Sequence, residues 1–528
     1  MKPLRTQPPC PFLYDALGGR THFAVAGVLD VAYEYDVRNR LVEILGNGKA
    51  TRFDYDAAGQ RTNAVWPNGT HAAYVYDDAG QLLSLIHGRA NPPGEPLASF
   101  TYAYDLSGRR TNMVTLEGTN SYAYDARGQL TAVTYPDGIS EAFAYDPVGN
   151  RTSLVQVASG GPAIETVYAY GPANRLLFSE SAVETNVYVF DDAGRLVGQT
   201  VNGVSRTYGY DFQSRMTSMG DADGALFAYA FDGEGNRVRQ DLNGCLTTRF
   251  VYDGANAVVE MNGSNEVVWA WVNGPGLDQP VERIAFINGE ARNQQVIHAD
   301  GLGSVSALTD ESGETVQTYA YAAFGGIREQ TGTDLNRVTF TAREALGDSL
   351  GLFYYRHRVY DPHTGRFTSE DPMGFIDGAN RYVYCGNNPV NIVDPFGLAW
   401  YDNWHYEGRD AHNSNLPSSP EAADLAGGTL LSPEMSKYHD DPCTPGPEKK
   451  FIFPGGEEAV YNDETGQLVT DPRYKGTYNY VNPAPPSRNP LKWPGIVGRG
   501  AGHFFADMLP YYIWGNERPS EDESDHCK

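Results

Sequence analysis

Cysteine is scarce and follows no pairing pattern in this 528-residue chain. Cys10, Cys245, Cys385, Cys443 and Cys527 are scattered, odd in number and form no Cys-x-x-Cys pair. Neither a disulfide scaffold nor a zinc site is indicated, and no metal or other cofactor is expected. Basic charge is also short: 40 Lys and Arg face 66 Asp and Glu, a net charge of −26. That argues against the basic footprint of a nucleic-acid binder and leaves a solvated acidic surface or a cationic partner. No apolar run is long enough to span a bilayer. The N-terminus, "MKPLRTQPPCPFLYDALGG", lacks the apolar stretch of a signal peptide. A secreted or cell-surface destination would then need another route, with a cytoplasmic stage before export.

Glycine (58) and tyrosine (35) are plentiful, which suits many short strands and turns. They fall into a repeat. "YEYDVRNRL" (33–41), "FDYDAAGQRT" (53–62), "YVYDDAGQLL" (74–83), "YAYDLSGRRT" (102–111) and "FAYDPVGNRT" (143–152) are one unit, and it continues to "FVYDGANAVV" (250–259). One copy, "YAYGPANRLL", has Gly171 in place of the aspartate. Tyr-x-Tyr puts both rings on one face of a strand. Asp-x-x-Gly then turns the chain, the carboxylate accepting nearby N–H groups and glycine taking the positive φ. Each unit reads as a β-hairpin that must stack on neighbours to bury its aromatic face. These aspartates read as turn formers, not catalysts.

Residues 371–398, "DPMGFIDGANRYVYCGNNPVNIVDPFGL", carry Asp-Pro-x-Gly-apolar twice. Two readings stand: a pair of turns, since Pro presets φ and Gly accepts φ > 0, or two carboxylates that meet and do chemistry. Two adjacent carboxylates cannot both ionise cheaply, so one could serve as acid and the other as base.

The Tyr-Asp units resemble those of the Rhs/YD-repeat proteins of bacteria, whose relatives include toxin-complex C components and the animal teneurins. "HADGLGSVSALTDESGETVQTYAYAAFGG" (298–326) and "GLFYYRHRVYDPHTGRFTSEDPMGF" (351–375) resemble the Rhs-associated core. The resemblance implies a mostly β fold, hairpins coiled into a spiral sheet or hollow shell, followed by a small α+β C-terminal domain. The unit "LYDALGGRT" (13–21) begins mid-repeat almost at Met1. A short version, one part of a split system or a truncated product is therefore expected, with an open ribbon as the alternative to a closed shell. The domains expected are repeats over 1–297, core over 298–398 and a variable C-terminal domain over 399–528.

The resemblance also implies an autoproteolytic aspartyl core, with Asp371 and Asp394 as the acid pair, Arg358 assisting, and the bond Leu398–Ala399 cut. Phe375 departs from the leucine of the second motif. Asp361, in "YDPHTGRF", is a weaker candidate for the pair.

After Leu398 the composition changes: 15 of the 33 prolines and four of the seven tryptophans follow it. The resemblance makes this segment a cargo, an effector or toxin aimed at competing bacteria, with a cognate immunity protein and a secretion-system component as partners. Its own candidates are the group His405, Glu407, Asp410 and His412, and the pair His503 and Asp507 at i, i+4 on a short helix; a solvated loop and a polar stripe are the respective alternatives. "AVYNDETGQLVTDP" (459–472) reads as a hairpin, and the tail from about 517 as disordered. A cell-surface carbohydrate- or protein-binding protein, or an inactive fragment, are the competing functional classes.

Overall fold

Most Tyr-Asp units close by the same local bonds. After Tyr104, the Asp105 N–H donates to Arg109 O at 2.9 Å and the Gly108 N–H donates to Asp105 O at 3.0 Å. Asp105 Oδ1 accepts the N–H groups of Ser107 and Arg109 at 2.8 and 3.0 Å. Gly108 sits at φ +79°, where a Cβ would be strained. The same pair of carboxylate bonds recurs at Asp77, Asp125, Asp146, Asp211 and Asp232. Entering each turn the pairing slips: Ala103 faces Asn112, but Tyr104 faces Arg110. Such a bulge increases the right-handed twist, so a ribbon of these hairpins coils.

The computed structural model describes residues 13–16, 19–89, 94–220, 224–334, 336–346, 351–375 and 377–398, together with the strands 401–402, 429–430, 448–452 and 458–462. It divides into two units. In the first, a 30-stranded antiparallel sheet runs from Leu13–Tyr14 to Ile327–Thr331, each strand pairing with its sequence neighbours. Among the described residues the two end strands each have one partner strand, Arg20–Val25 and Thr315–Tyr321 respectively. The ribbon coils without closing into a hydrogen-bonded ring.

A bond between neighbouring units explains the second tyrosine of Tyr-x-Tyr. Tyr55 donates its hydroxyl to Leu41 O at 2.7 Å, Tyr124 to Arg110 O at 2.6 Å and Tyr145 to Leu130 O at 2.8 Å. In each case the acceptor is the first residue of a strand that leaves the previous Tyr-Asp turn. Every such bond fastens one turn to the one before it. The first ring of the pair is the core residue: Tyr33, Tyr102, Tyr188 and Tyr208 are all buried. Tyr319 and Tyr321 stack at 6.2 Å, which places both rings on one face as alternation requires.

Successive layers of the coil meet at long sequence separation. Arg20 pairs with Asp253 at 2.5 Å, Asn68 Nδ2 donates to Thr309 Oγ1 at 2.9 Å, and Arg328 pairs with Asp137 at 2.5 Å. Phe23, Leu29, Ile44, Phe53 and Phe100 share one apolar cluster with Val258, Val272, Ile284 and Val296. A second cluster joins Leu130, Phe143, Tyr188 and Tyr229 to Phe324, Leu352 and Val359. The ribbon is thus packed against the segment that follows it. That segment is a four-stranded antiparallel sheet, Glu344–Leu346, Leu352–Tyr355, Arg358–Asp361 and Arg366–Phe367. The turn lacking aspartate serves as its dock: Asn174, at φ +62°, offers its carbonyl to Arg366 Nη2 at 2.6 Å.

Between layers lies one fully directed chain of hydrogen bonds. The Ala299 carbonyl can only accept, so His87 Nε2 carries a proton toward it at 2.9 Å. Neutral His87 then accepts at Nδ1 from His298 Nδ1 at 3.2 Å, and His298 Nε2 accepts from Thr309 Oγ1 at 2.9 Å. Burial pushes His87 down to about 4, against its bond to Ala299, and pushes His298 well below its ordinary value, helped by His87.

In the second unit, Thr429–Leu430 pairs with Glu448–Ile452, which pairs in turn with Glu458–Asn462. The strand expected from residue 459 is present, and its described partner precedes it in sequence. Residues 463–472, the helix expected near 498–510 and the tail from 517 lie outside the described residues.

Two outcomes follow from these bonds. Tyr124→Phe should cost about 1 kcal/mol, seen as faster amide hydrogen exchange limited to residues 110–134 and the segment around Asn391, whose Nδ2 donates to the same hydroxyl at 2.8 Å, because an array of repeats opens locally. Unchanged exchange there would show that the hydroxyl bond contributes nothing. The depressed histidines contribute stability that is present above their unfolded pKa of about 6.5 and lost as pH falls toward 4. The protection factors of strands Leu82–Arg89 and Glu290–Ala299, exchange rates corrected for the intrinsic pH dependence, should therefore fall between pH 6.5 and 4 ahead of those of the hairpins at 102–157.

Candidate functional site

The core segment brings the two Asp-Pro-x-Gly motifs together. Each motif keeps the turn chemistry of the repeats. Asp371 Oδ1 accepts the Met373 N–H at 2.8 Å, and the Gly374 N–H donates to Asp371 O at 3.0 Å. Asp394 Oδ1 accepts the Leu398 N–H at 3.0 Å, and the Gly397 N–H donates to Asp394 O at 3.3 Å. One oxygen of each carboxylate closes its own turn. The other oxygens converge: Arg358 Nη2 lies 3.0 Å from Asp371 Oδ2 and 3.3 Å from Asp394 Oδ2.

All three side chains are out of water, at 2 to 5% exposure. Arg358 lies 3.6 Å over the Phe367 ring, within a cluster formed by Phe340, Phe353, Tyr355, Tyr360 and Tyr384. Its Nη1 donates to Arg381 O at 3.1 Å, and the same carbonyl receives the Asp371 N–H at 2.9 Å. Burial pushes the Asp371 carboxyl above the ordinary aspartate value, against the opposing pull of Arg358. Cys385 is pushed well above the usual thiol value by burial and by the nearby charge of Asp394.

The backbone of the second motif is held carbonyl by carbonyl. Arg356 Nη1 donates to Pro395 O at 2.5 Å, the His357 N–H donates to Phe396 O at 3.1 Å, and Arg358 Nε donates to Gly397 O. Three consecutive residues thus grip three consecutive carbonyls. The imidazole adds Nδ1–H to Phe396 O at 3.2 Å, and burial drives His357 down to about 4, so it donates as the neutral ring. Gly397, at φ +66°, is required by space as well as conformation: a Cβ would lie 2.7 Å from Tyr355 O. Gly374 has open space at its Cβ position. The motifs differ at their ends too, with Leu398 buried at 1% and Phe375 exposed at 69% under the Arg381 guanidinium.

Of the residues singled out by sequence, Asp371, Asp394, Arg358 and Leu398 lie in this one place. Ala399 is outside the described residues. Asp361 is elsewhere in function: it accepts the His363 N–H at 2.9 Å and Thr364 Oγ1 at 3.0 Å, closing its own turn. His405, Glu407, Asp410, His412, His503 and Asp507 lie outside the described residues. Sequence reasoning passed over Arg356, His357 and Cys385. The alternating "YYRHRVYDP" did carry a signal, since two arginines flanking a histidine beside an aromatic pair is unusual in a buried hairpin. Among the described residues no group of three or more His, Cys, Asp or Glu could hold a metal, and no helix is long and apolar enough to cross a membrane.

A family model described as Teneurin YD-shell matches residues 8–90 and 94–390. The chain is 32% identical over 330 residues to double-stranded DNA deaminase toxin A of Burkholderia cenocepacia, covering 56% of this chain and 22% of that protein. It is 26% identical over 395 residues to toxin protein Tse5 of Pseudomonas aeruginosa, covering 73% and 27%. With the tRNA nuclease WapA of Bacillus subtilis it shares 28% over 377 residues, covering 69% and 15%. The chain therefore spans about a quarter or less of the length of these relatives. In fold it is similar to the crystal structure of TcdB2-TccC3-TEV, with a TM-score of 0.63 at 19% identity over 73% of this chain and 21% of that one. The coiled ribbon of Tyr-Asp hairpins, its core segment and these matches put the chain in the teneurin YD-shell family, among YD-repeat proteins of the Rhs polymorphic-toxin type.

Proposed function

We propose that this chain is a toxin carrier that cuts itself after Leu398, freeing residues 399–528 as an effector for contact-dependent competition between bacteria. The observation that carries the reading is the single Arg358 nitrogen shared by both carboxylates, beside a Leu398 whose N–H is already fixed on Asp394. Asp371, held toward its neutral form by burial, is the acid. Asp394 is the base. Asp394 takes a proton from water as the water oxygen adds to the Leu398 carbonyl. Asp371 protonates the departing Ala399 nitrogen as the C–N bond breaks, leaving a Leu398 carboxylate and an Ala399 amine. Because the substrate is the chain itself, positioning supplies much of the rate, and the three gripped carbonyls provide it.

The domain assignment follows the same reading: repeats to 297, core over 298–398, cargo from 399. An immunity protein that neutralises the cargo and a secretion-system component are the partners it calls for. The family match ends at residue 390, so the chemistry named for the relatives is not carried into 399–528.

Purified chain should resolve into two fragments. Asp371→Asn and Asp394→Asn, which keep shape and turn bonds, should each slow the split about a hundredfold to ten-thousandfold. Gly397→Ala should slow it more than Gly374→Ala, because only the former meets backbone. If either asparagine variant splits at the native rate, the acid pair is not the catalyst. The rate should fall as pH rises through the elevated pKa of Asp371, since only the protonated form delivers the proton. The linkage has the same sign: its contribution to stability is present at low pH and lost as pH rises through that pKa. A rate that climbs steadily from pH 5 to 9 would contradict this assignment.

A further inference from the structure

Behind the second motif, Arg356 belongs to a charge cluster whose other members the cleavage chemistry does not touch. Asp278 lies in the loop between the ribbon strands Val267–Asn273 and Pro280–Ile287. Its carboxylate receives Arg356 as a fork, Nη2 on Oδ1 at 2.8 Å and Nη1 on Oδ2 at 3.0 Å. Arg343 Nη1 reaches both oxygens at 2.6 Å. Both guanidiniums then donate to Pro395 O, Arg356 at 2.5 Å and Arg343 at 3.3 Å. Exposure is 3% for Arg343, 6% for Arg356 and 14% for Asp278.

Several features mark this as a device for placing Pro395. Two buried cations share one carboxylate, so removing it would strip both of their main compensation, with Glu344 left as a weaker pull on Arg356, a large penalty in a dry site. Asp278 and Arg356 both hold positive φ, +54° and +60°, where glycine or asparagine would be the unstrained choice. Asp278 is itself fixed: its N–H donates to Asn256 Oδ1 at 3.1 Å, and Asn256 Nδ2 donates to Gly276 O at 2.9 Å. Arg356 Nε is tied to the ribbon as well, donating to Ala255 O at 3.0 Å. A ribbon loop, a core hairpin and the cleavage motif thus meet on one carbonyl.

We propose that Asp278 is a positioning residue for the self-cleavage, acting through Arg356 and Arg343 to seat Pro395. The second motif then takes its cutting geometry only after the ribbon has wrapped the core segment. Cutting is thereby licensed by completed coiling, and a chain still folding keeps its cargo attached. The inference rests on the cleavage reading above, and its test separates the two.

The test compares full-length chains carrying native Asp278, Asp278→Asn or Asp278→Glu. Asp278→Asn should slow fragment formation about tenfold to a hundredfold. It should also move the alkaline limb, which Asp371 sets, to lower pH, because two less-compensated arginines gripping the second motif add positive charge near the acid pair and favour its ionised form. A role confined to stability would not move that limb. Asp278→Glu, which keeps the charge, should recover part of the rate and leave the limb in place. In chains kept whole by Asp371→Asn, Asp278→Asn should speed amide exchange at residues 394–398 while the hairpins at 102–157 keep their protection. A native chain that never splits overturns the cleavage reading, and the exchange comparison still decides whether Asp278 seats the motif. A split at native rate and pH profile in Asp278→Asn, or unaltered exchange at 394–398, overturns the role given to Asp278. Should Asp278→Asn unfold the strands around it, Asp278→Glu decides: a native rate from it overturns the proposal, and a partial rate supports it.

Discussion

A carboxylate oxygen that accepts N–H groups from its own turn is the interaction on which the rest of this protein depends. In the repeats it closes hairpin after hairpin, with glycine taking the φ that the turn demands and a bulge adding twist. The second oxygen is spare. In several repeats it holds the arginine four residues on, as Asp191 holds Arg195 at 2.7 Å. In the two Asp-Pro-x-Gly motifs the spare oxygens leave their own turns and meet at Arg358. The site is therefore built from the fold's own turn, with its unused valence redirected inward.

Burial sets that redirected turn apart from the exposed turns of the repeats. An exposed Asp–Arg contact contributes little and perturbs little. Here the aromatic cluster around Tyr355, Tyr360 and Tyr384 excludes water, and burial raises the Asp371 carboxyl despite the adjacent guanidinium. The exposed Phe375 and the buried Leu398 break the symmetry between the motifs. The second alone has its following residue drawn into the protein and its carbonyls gripped, so the two motifs are partners in position and unequal in role.

The local fold was legible in the sequence because its causes are local. Tyr-x-Tyr alternation, Asp-x-x-Gly turns and the repeat spacing all act within about twenty residues, and the hairpins form where they predict. The paired motifs could be located for the same reason. Three features could not be read in advance. The tyrosine before each aspartate bonds a carbonyl in the preceding unit, so Tyr124 and Phe231 look interchangeable on paper although only the former carries a hydroxyl. His87 and His298 find each other only when the ribbon has completed a layer. Asp278 resembles any loop aspartate until coiling sets it against Arg343 and Arg356. The turn at Gly171 marks the boundary between the two kinds of information: its departure from the repeat is plain in sequence, whereas its contact with Arg366, through the Asn174 carbonyl, is tertiary.

The central claim is that one shared, buried acid pair opens one particular bond. It is tested most directly by the intact mass and first residue of the products from purified full-length chain. The account predicts a large fragment whose mass ends at Leu398 and a small one beginning at Ala399, both absent from Asp394→Asn. A native chain that retains its full mass, or one whose small fragment begins at another residue, would contradict it.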